Sequence, residues 1–220
     1  RKSYSWQRVN CSYEKGLYMR IERVESLDKR KCKVFTDEDF AFLLYNGELE
    51  KYGVCEGAVL EKRTERELLD LLSRRAHERA LNLLKVQDRT EGEMCRRLFQ
   101  DGYPDSIVQE TIGFLQEYHF VDDARYAANY LQVHGKRKSQ AELKLYLQRK
   151  GISREIIREQ LEETEHDSGE AIRVLLEKKH YRAGETAPEE KKKIIAYLMR
   201  RGFSWEDIRR EMKEQEDALS

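Results

Sequence analysis

Residues 147–157 read LQRKGISREII, and the pattern recurs as LFQDGYPDSIV at 98–108 and LMRRGFSWEDI at 198–208. With Gly102, Gly151 and Gly202 aligned, Leu98, Leu147 and Leu198 stand four residues earlier. Tyr103, Ile152 and Phe203 stand one residue later, Val108, Ile157 and Ile208 six later, and Ile112, Leu161 and Met212 ten later. The glycines are 49 and then 51 residues apart, near the length of known helical repeats. A glycine closing an apolar helical run suits the left-handed position that ends a helix. The apolar residue after it folds back onto that helix. Pro104-Asp105, Ser153 and Ser204 then open the next helix.

Working upstream, Thr90-x-x-Glu93, Ser139-x-x-Glu142 and Thr186-x-x-Glu189 all fit the capping box, in which hydroxyl and carboxylate satisfy each other's backbone N–H. The cap-to-glycine distance is 12 residues in the first two units and 16 in the third, about one extra helical turn. A further helix precedes each pair, over about 75–86, 122–134 and 168–180. Three helices of this size bury little core alone, so each unit should dock on its neighbour. The expected fold is mainly α: three tandem three-helix repeats, 73–120, 121–166 and 167–220, forming an elongated array.

The N-terminal part differs. Residues 1–18 have no period and read as a loose extension. Residues 19–72 read as a small β-containing segment. Cys32, Val34 and Thr36 alternate with Lys31, Lys33 and Phe35, and Phe40, Phe42 and Leu44 line one side of the next run. Thr36-Asp37-Glu38-Asp39 reads as the turn between them. A sheet of two or three strands is marginal alone and needs a helix to lean on. Asn46 is expected to cap a short helix that Gly53 stops, and Gly57 to begin another brief extended piece. Thr64-x-x-Glu67 should start a long helix, with a break near Ser73 dividing this segment from the repeats.

Lys+Arg and Asp+Glu both number 42, so nucleic-acid binding must come from local patches, not global charge. No apolar run approaches a membrane span, and no apolar leader stands in the first twenty residues, so the expectation is a cytoplasmic protein with no membrane partner. Cys11, Cys32, Cys55 and Cys95 form no C-x-x-C pair and read as free thiols, and the five histidines have no zinc-type spacing.

Nothing in the sequence reads as an enzyme. It has no phosphate loop, no nucleophile elbow and no metal set, so neither catalytic residues nor cofactors are expected. Asp122-Asp123 could suggest a metal, but it stands where a helix begins, and carboxylates there favour the helix dipole. The informative stretch is basic. Lys136, Arg137, Lys138, Lys144, Arg149, Lys150, Arg154 and Arg158 face only Glu142 and Glu155, about +6 over 136–158. Residues 159–170 hold six acids and no Lys or Arg. That polarity gives a directed field in a neutral chain. With Tyr146 it reads either as a solvated helix face or as a strip contacting phosphate. Lys191, Lys192 and Lys193 with Arg200 and Arg201 are a weaker candidate, because adjacent lysines point different ways round a helix. The helix–glycine–helix pattern is like a helix-turn-helix, yet the helix after Gly102 carries no Lys or Arg through residue 118. Positive charge lies before the glycines, which suits backbone contact without sequence reading.

The runs ALNLL (80–84), TEGEMCRRLFQDGY (90–103), FVDDARYAANYL (120–131) and LQRKGI (147–152), with DEDFAFLLYNGELEKYGVCEG at 37–57, resemble the RecX regulatory proteins over roughly 19–215. The resemblance implies three three-helix repeats and a monomeric protein that binds the bacterial recombinase RecA. It implies a place in the groove of the RecA–DNA filament, some contact with single-stranded DNA, and modulation, usually inhibition, of RecA in recombination, DNA repair and the SOS response. The chain departs from the family at 1–18 and in the third repeat, which carries an inserted loop at 180–186. Two other readings stand beside this one. A free-standing nucleic-acid-binding repeat protein would bind tightly and salt-sensitively without RecA. A pure interaction scaffold would carry charges that only solvate it.

Overall fold

The computed structural model describes residues 19–37, 41–164 and 167–218. The expected extension at 1–18, half of the turn at 36–39, Phe40, residues 165–166 of the acidic stretch and the last two residues lie outside the described residues. The chain forms two compact units, residues up to 81 with 97–111, and 82–96 with 112–218.

In the first unit, β1 (Met19–Ser26), β2 (Lys31–Thr36), β3 (Ala41–Tyr45) and β4 (Val59–Leu60) form an antiparallel sheet in the order β3-β2-β1-β4. The alternation seen in the sequence sorts its faces. Cys32, Val34, Thr36, Phe42 and Leu44 are buried, and Lys31, Lys33, Phe35 and Leu43 are less so. The buried face leans on α2 (Lys62–Leu84) through Leu68, Leu72 and Ala76. Apolar side chains on a single helical stripe thus supply the support that a small sheet lacks.

Three local expectations change here. Asn46 is the first residue of α1 (Asn46–Tyr52), not its cap: its amide donates to Lys29 C=O at 3.1 Å, while Glu48 receives the Tyr45 N–H at 2.8 Å. Gly53 ends α1 in the left-handed region, φ 63°. Thr64 lies inside α2, because the Glu61 carbonyl already accepts the Glu65 N–H at 2.9 Å and Arg63 engages Glu67 at 3.0 Å. The helix does not break at Ser73: Leu72 and Ala76 continue one buried stripe, and the Ser73 hydroxyl turns to Glu110 at 2.6 Å, away from its own backbone.

The repeats follow as α3 (Glu91–Gln100) and α4 (Asp105–Glu117), then α5 (Asp123–His134), α6 (Gln140–Lys150) and α7 (Arg154–Glu163), then α8 (Gly169–Lys178), α9 (Pro188–Arg200) and α10 (Trp205–Asp217). The three aligned glycines have φ of 84°, 98° and 83°. At each, the N–H of the following residue returns to the carbonyl of the aligned leucine: Tyr103 to Leu98 at 3.2 Å, Ile152 to Leu147 at 3.2 Å, Phe203 to Leu198 at 3.3 Å. Those leucines are fully buried. The Thr90–Glu93 and Ser139–Glu142 capping boxes form. The Thr186–Glu189 box does not. Its hydroxyl accepts the Arg182 N–H at 2.8 Å, Glu189 pairs with Lys192, and Pro188 opens α9 after an Ala187 cap.

In the second unit, Ala127, Leu131, Leu143, Leu147, Ile157 and Leu161 form the core of α5–α7. Ile172, Leu176, Ile194, Leu198, Ile208 and Met212 form that of α8–α10. Adjoining repeats are joined through the caps. Thr90 Oγ1 donates to Lys150 C=O at 2.6 Å, and Ser139 Oγ to Arg201 C=O at 2.5 Å. The capping glutamates hold the same two cations, Glu93 to Lys150 at 2.6 Å and Glu142 to Arg201 at 2.9 Å. Each motif therefore starts a helix and also receives the helix end of another repeat.

Candidate functional site

The basic segment runs from the end of α5 through a single 3-10 turn, Gly135–Arg137, into α6 and α7. Asp122 caps α5 by accepting the Arg125 N–H at 2.9 Å. Asp123 accepts the Glu91 N–H at 2.8 Å and so caps α3. Burial raises the Asp123 pKa, helped by Asp122 and Glu93, against the lowering effect of that N–H. Both carboxylates are thus helix caps. Among the described residues no three His, Cys, Asp or Glu converge as a metal site.

The candidate side chains divide into two sets. In the first, the Tyr130 and Tyr146 rings stack at 4.0 Å with 4° between planes. Lys138 donates to the Tyr130 hydroxyl at 2.5 Å and lies 5.0 and 5.4 Å from the two ring centres. Lys150 lies 5.5 Å from the Tyr146 ring while bonded to Glu93. Burial alone would lower the Lys150 pKa, but the Glu93 contact outweighs it and holds the pKa above its ordinary value. Burial and a hydrogen bond with Tyr146 push the Tyr126 phenol up to about 12. Burial, with Lys138 and Arg137 nearby, lowers the His134 pKa and so favours its neutral imidazole. Tyr146, Lys138 and Lys150 are therefore engaged inside the repeat and its joint.

The second set faces outward. Arg137, Lys144, Arg149, Arg154 and Arg158 are exposed and form no ion pair among the described residues. Lys144 and Arg149 share the exposed side of α6 with Gln140, Ala141, Leu145 and Gln148, and Arg154 and Arg158 are one turn apart on α7. Lys136 is exposed too, but it reaches Glu170 at 3.4 Å in a well-solvated, weak pair. In the acidic stretch, Glu170 takes that lysine and Asp167 takes Arg210 at 3.4 Å. Most of the weaker basic candidate is paired locally, Lys191 with Glu216, Lys192 with Glu189, Lys193 with Glu190 and Arg201 with Glu142, while Arg200 is exposed and in no ion pair among the described residues.

Tyr130, and the part Glu93, Glu142 and Arg201 play in the joints, escaped sequence reading. For the two glutamates the signal was present in the capping boxes, which stand at one fixed offset from the first two aligned glycines, 12 residues in each.

Tandem three-helix units, closed by left-handed glycines and joined cap to helix end, define a helical-repeat protein with an outward basic face on its middle repeat. Three family models match in order: the first three-helix domain of RecX at 76–115, the second at 122–161 and the third at 167–212. The chain belongs to the RecX family. It is 33% identical over 208 residues to the regulatory protein RecX of Clostridium tetani, covering 92% of this chain and 86% of that one. It is 28% identical over 203 residues to that of Clostridium acetobutylicum, covering 88% and 95%. A crystal structure of regulatory protein RecX shares the fold with a TM-score of 0.60 at 21% identity, covering 89% of this chain and 99% of that one. RecX from Lactobacillus salivarius aligns with a TM-score of 0.58 over 67% of this chain and 97% of its own.

Proposed function

We propose that this protein regulates the RecA recombinase without catalysis, binding in the groove of the RecA–DNA filament as a monomer in the cytoplasm. Family membership supports the choice of RecA. The observation that carries the site is the outward set on the middle repeat: Arg137, Lys144, Arg149, Arg154 and Arg158 are solvated while the frame beneath them is fixed by buried caps. These cations meet DNA phosphate within the filament. Glu159 and Glu162, exposed on α7, meet basic protein surface. Tighter binding to an inactive filament state than to the active one inhibits ATP hydrolysis, strand exchange and filament growth.

The test is co-sedimentation with RecA on single-stranded DNA, with and without ATP, together with RecA ATPase inhibition. Arg137→Glu, Lys144→Glu and Arg149→Glu combined should weaken inhibition by about tenfold or more, some 1.4 kcal/mol. Lys138 and Lys150 are left intact, because changing them disturbs the tyrosine stack and the joint. Unchanged inhibition by the triple variant removes this face from the mechanism.

A further inference from the structure

We propose that the outer face of the N-terminal sheet, with the turn joining β1 and β2, is a second surface for single-stranded DNA. It goes beyond the regulatory reading above, since it names a different surface and is measured without RecA.

Residues 28–33 read DKRKCK, placing Lys29, Arg30, Lys31 and Lys33 within five positions. Asp28 forms no ion pair with them among the described residues, and its single charge offsets only one of the four. Its carboxylate turns back to accept the backbone N–H groups of Arg30 at 2.6 Å and Lys31 at 2.9 Å, and these bonds hold its pKa below the usual carboxylate value. Lys29 and Arg30 are exposed, and none of the four cations is in an ion pair among the described residues.

Register then sets rings among these cations. On the face opposite the buried stripe, Arg23 pairs across the sheet with Phe35, Lys33 with Leu43, and Lys31 with Tyr45. Arg23 and Lys33 lie 4.2 and 4.8 Å from the centre of the Phe35 ring. Lys31 and Arg75 lie 5.5 and 4.7 Å from that of Tyr45. A ring positions a cation without cancelling its charge, so the charge stays available to phosphate. Glu22 and Glu25 are the exposed carboxylates of β1 among the described residues, and Glu25, which stands opposite Lys33, is taken by Arg23 at 3.1 Å.

Tyr45 is 43% exposed. Beside it opens a cavity of about 360 Å³ lined by Lys31, Leu43, Tyr45, Arg75, Arg79 and Tyr103. Arg75 and Arg79 are held by Glu48 and Asp101, which leaves Lys31 as the unpaired cation at its mouth. Ring-positioned cations and the exposed Tyr45 ring on an extended surface match a strand whose phosphates need charge and whose unpaired bases need a π face. A duplex hides its bases and would leave the rings unused.

The experiment is fluorescence anisotropy of a labelled thymidine oligonucleotide with the full chain alone, over a salt series. Lys29→Gln, Arg30→Gln, Lys31→Gln and Lys33→Gln combined should weaken binding by more than about tenfold near 0.1 M salt. The salt slope should fall by about 0.7 per lost phosphate contact, up to about 3. Tyr45→Ala should weaken binding roughly fivefold to a hundredfold with the slope unchanged. Circular dichroism checks that both variants fold; the substituted side chains all lie off the buried stripe. Affinity and slope unchanged in the quadruple variant would overturn the proposal. So would equal loss of binding to polyglutamate with no effect of Tyr45→Ala, which would mark a general anion surface. Because RecA is absent, neither outcome bears on the filament reading.

Discussion

The second unit contains two joints built to one plan, and they differ where they are tightest. At the first, the start of α3 meets the end of α6 backbone to backbone: a Cβ on Gly151 would lie 2.9 Å from Gly92 Cα. At the second, the start of α6 meets the end of α9 through a methyl: a Cβ on Gly202 would lie 2.6 Å from Ala141 Cβ. The cations differ as well. Arg201 grips Glu142 through two nitrogens, at 2.9 and 3.1 Å, whereas Lys150 holds Glu93 through one and also borders the Tyr146 ring. The second joint is thus fastened by a planar fork. The first is fastened by closeness, and it shares its lysine with the aromatic stack under the basic face. The middle repeat belongs to both joints, which gives its outward cations a fixed mounting.

The largest way to break this comparison is at the glycines. Gly151→Ala adds a methyl against backbone, which cannot rotate away, at φ 98°. The left-handed backbone and the overlap together should cost about 3 kcal/mol or more. Gly202→Ala carries the same backbone strain and meets Ala141 Cβ, which is fixed to its own backbone and lies closer still at 2.6 Å, so its cost should be at least as large. Gly184→Ala, at φ 76° with nothing near it, isolates the strain alone at about 1–2 kcal/mol. Urea unfolding ranks the three. A Gly151→Ala protein no less stable than the Gly184→Ala protein would show that the first joint does not close this tightly.

A smaller effect separates the hydroxyls from ordinary caps. Thr90 and Ser139 are fully buried, and each accepts a backbone N–H of its own helix while donating to a carbonyl of another repeat. Ser139→Ala removes the cap and also strands the Arg201 carbonyl, so it should cost about 2–4 kcal/mol; Thr90→Val removes the cap but leaves the Lys150 carbonyl the Arg96 guanidinium at 3.2 Å, so it should cost about 2 kcal/mol. Ser153 caps α7 by accepting the Ile156 N–H and is exposed, so Ser153→Ala should cost only about 1 kcal/mol. Equal losses in thermal unfolding at all three positions would reduce the joints to plain capping.

This contrast also separates what the sequence made legible from what it did not. Helix ends were readable because Gly102, Gly151 and Gly202 each follow an apolar run and each adopts the conformation that favours glycine. The sheet was readable because Cys32, Val34 and Thr36 alternate with residues on the other face. Thr186 and Thr64 matched the capping pattern and did not cap. A local pattern states what a side chain can do, while Pro188 in one case and the end of β4 at Leu60 in the other decided where the helix starts. The second role of Thr90 and Ser139 involves partners 60 and 62 residues away, beyond any local window. For the same reason the basic run read as one strip, when Lys138 and Lys150 turn to Tyr130, Tyr146 and Glu93 while Arg137 and Arg149 face solvent.

The smallest expected effect sharpens the comparison by pH. Only the first joint is tied, through Lys150, to a phenol whose pKa rises from 10.0 to about 12 among the described groups, that of Tyr126. Burial and the bond with Tyr146 favour its protonated form. Below pH 10 the phenol is protonated whether the chain is folded or unfolded, and its contribution is complete. Between about 10 and 12 the unfolded chain releases the proton and the folded chain keeps it, so stability falls as pH rises through that window. Tyr126→Phe should cost about 1 kcal/mol at neutral pH by losing the hydrogen bond. It should also remove part of the alkaline decline. Urea midpoints of both proteins, followed from pH 9 upward alongside tyrosinate absorbance, check this: the parent should titrate one more tyrosine late than the variant and lose stability more steeply. Parallel declines would place the Tyr126 hydroxyl in solvent and detach the aromatic stack from the first joint.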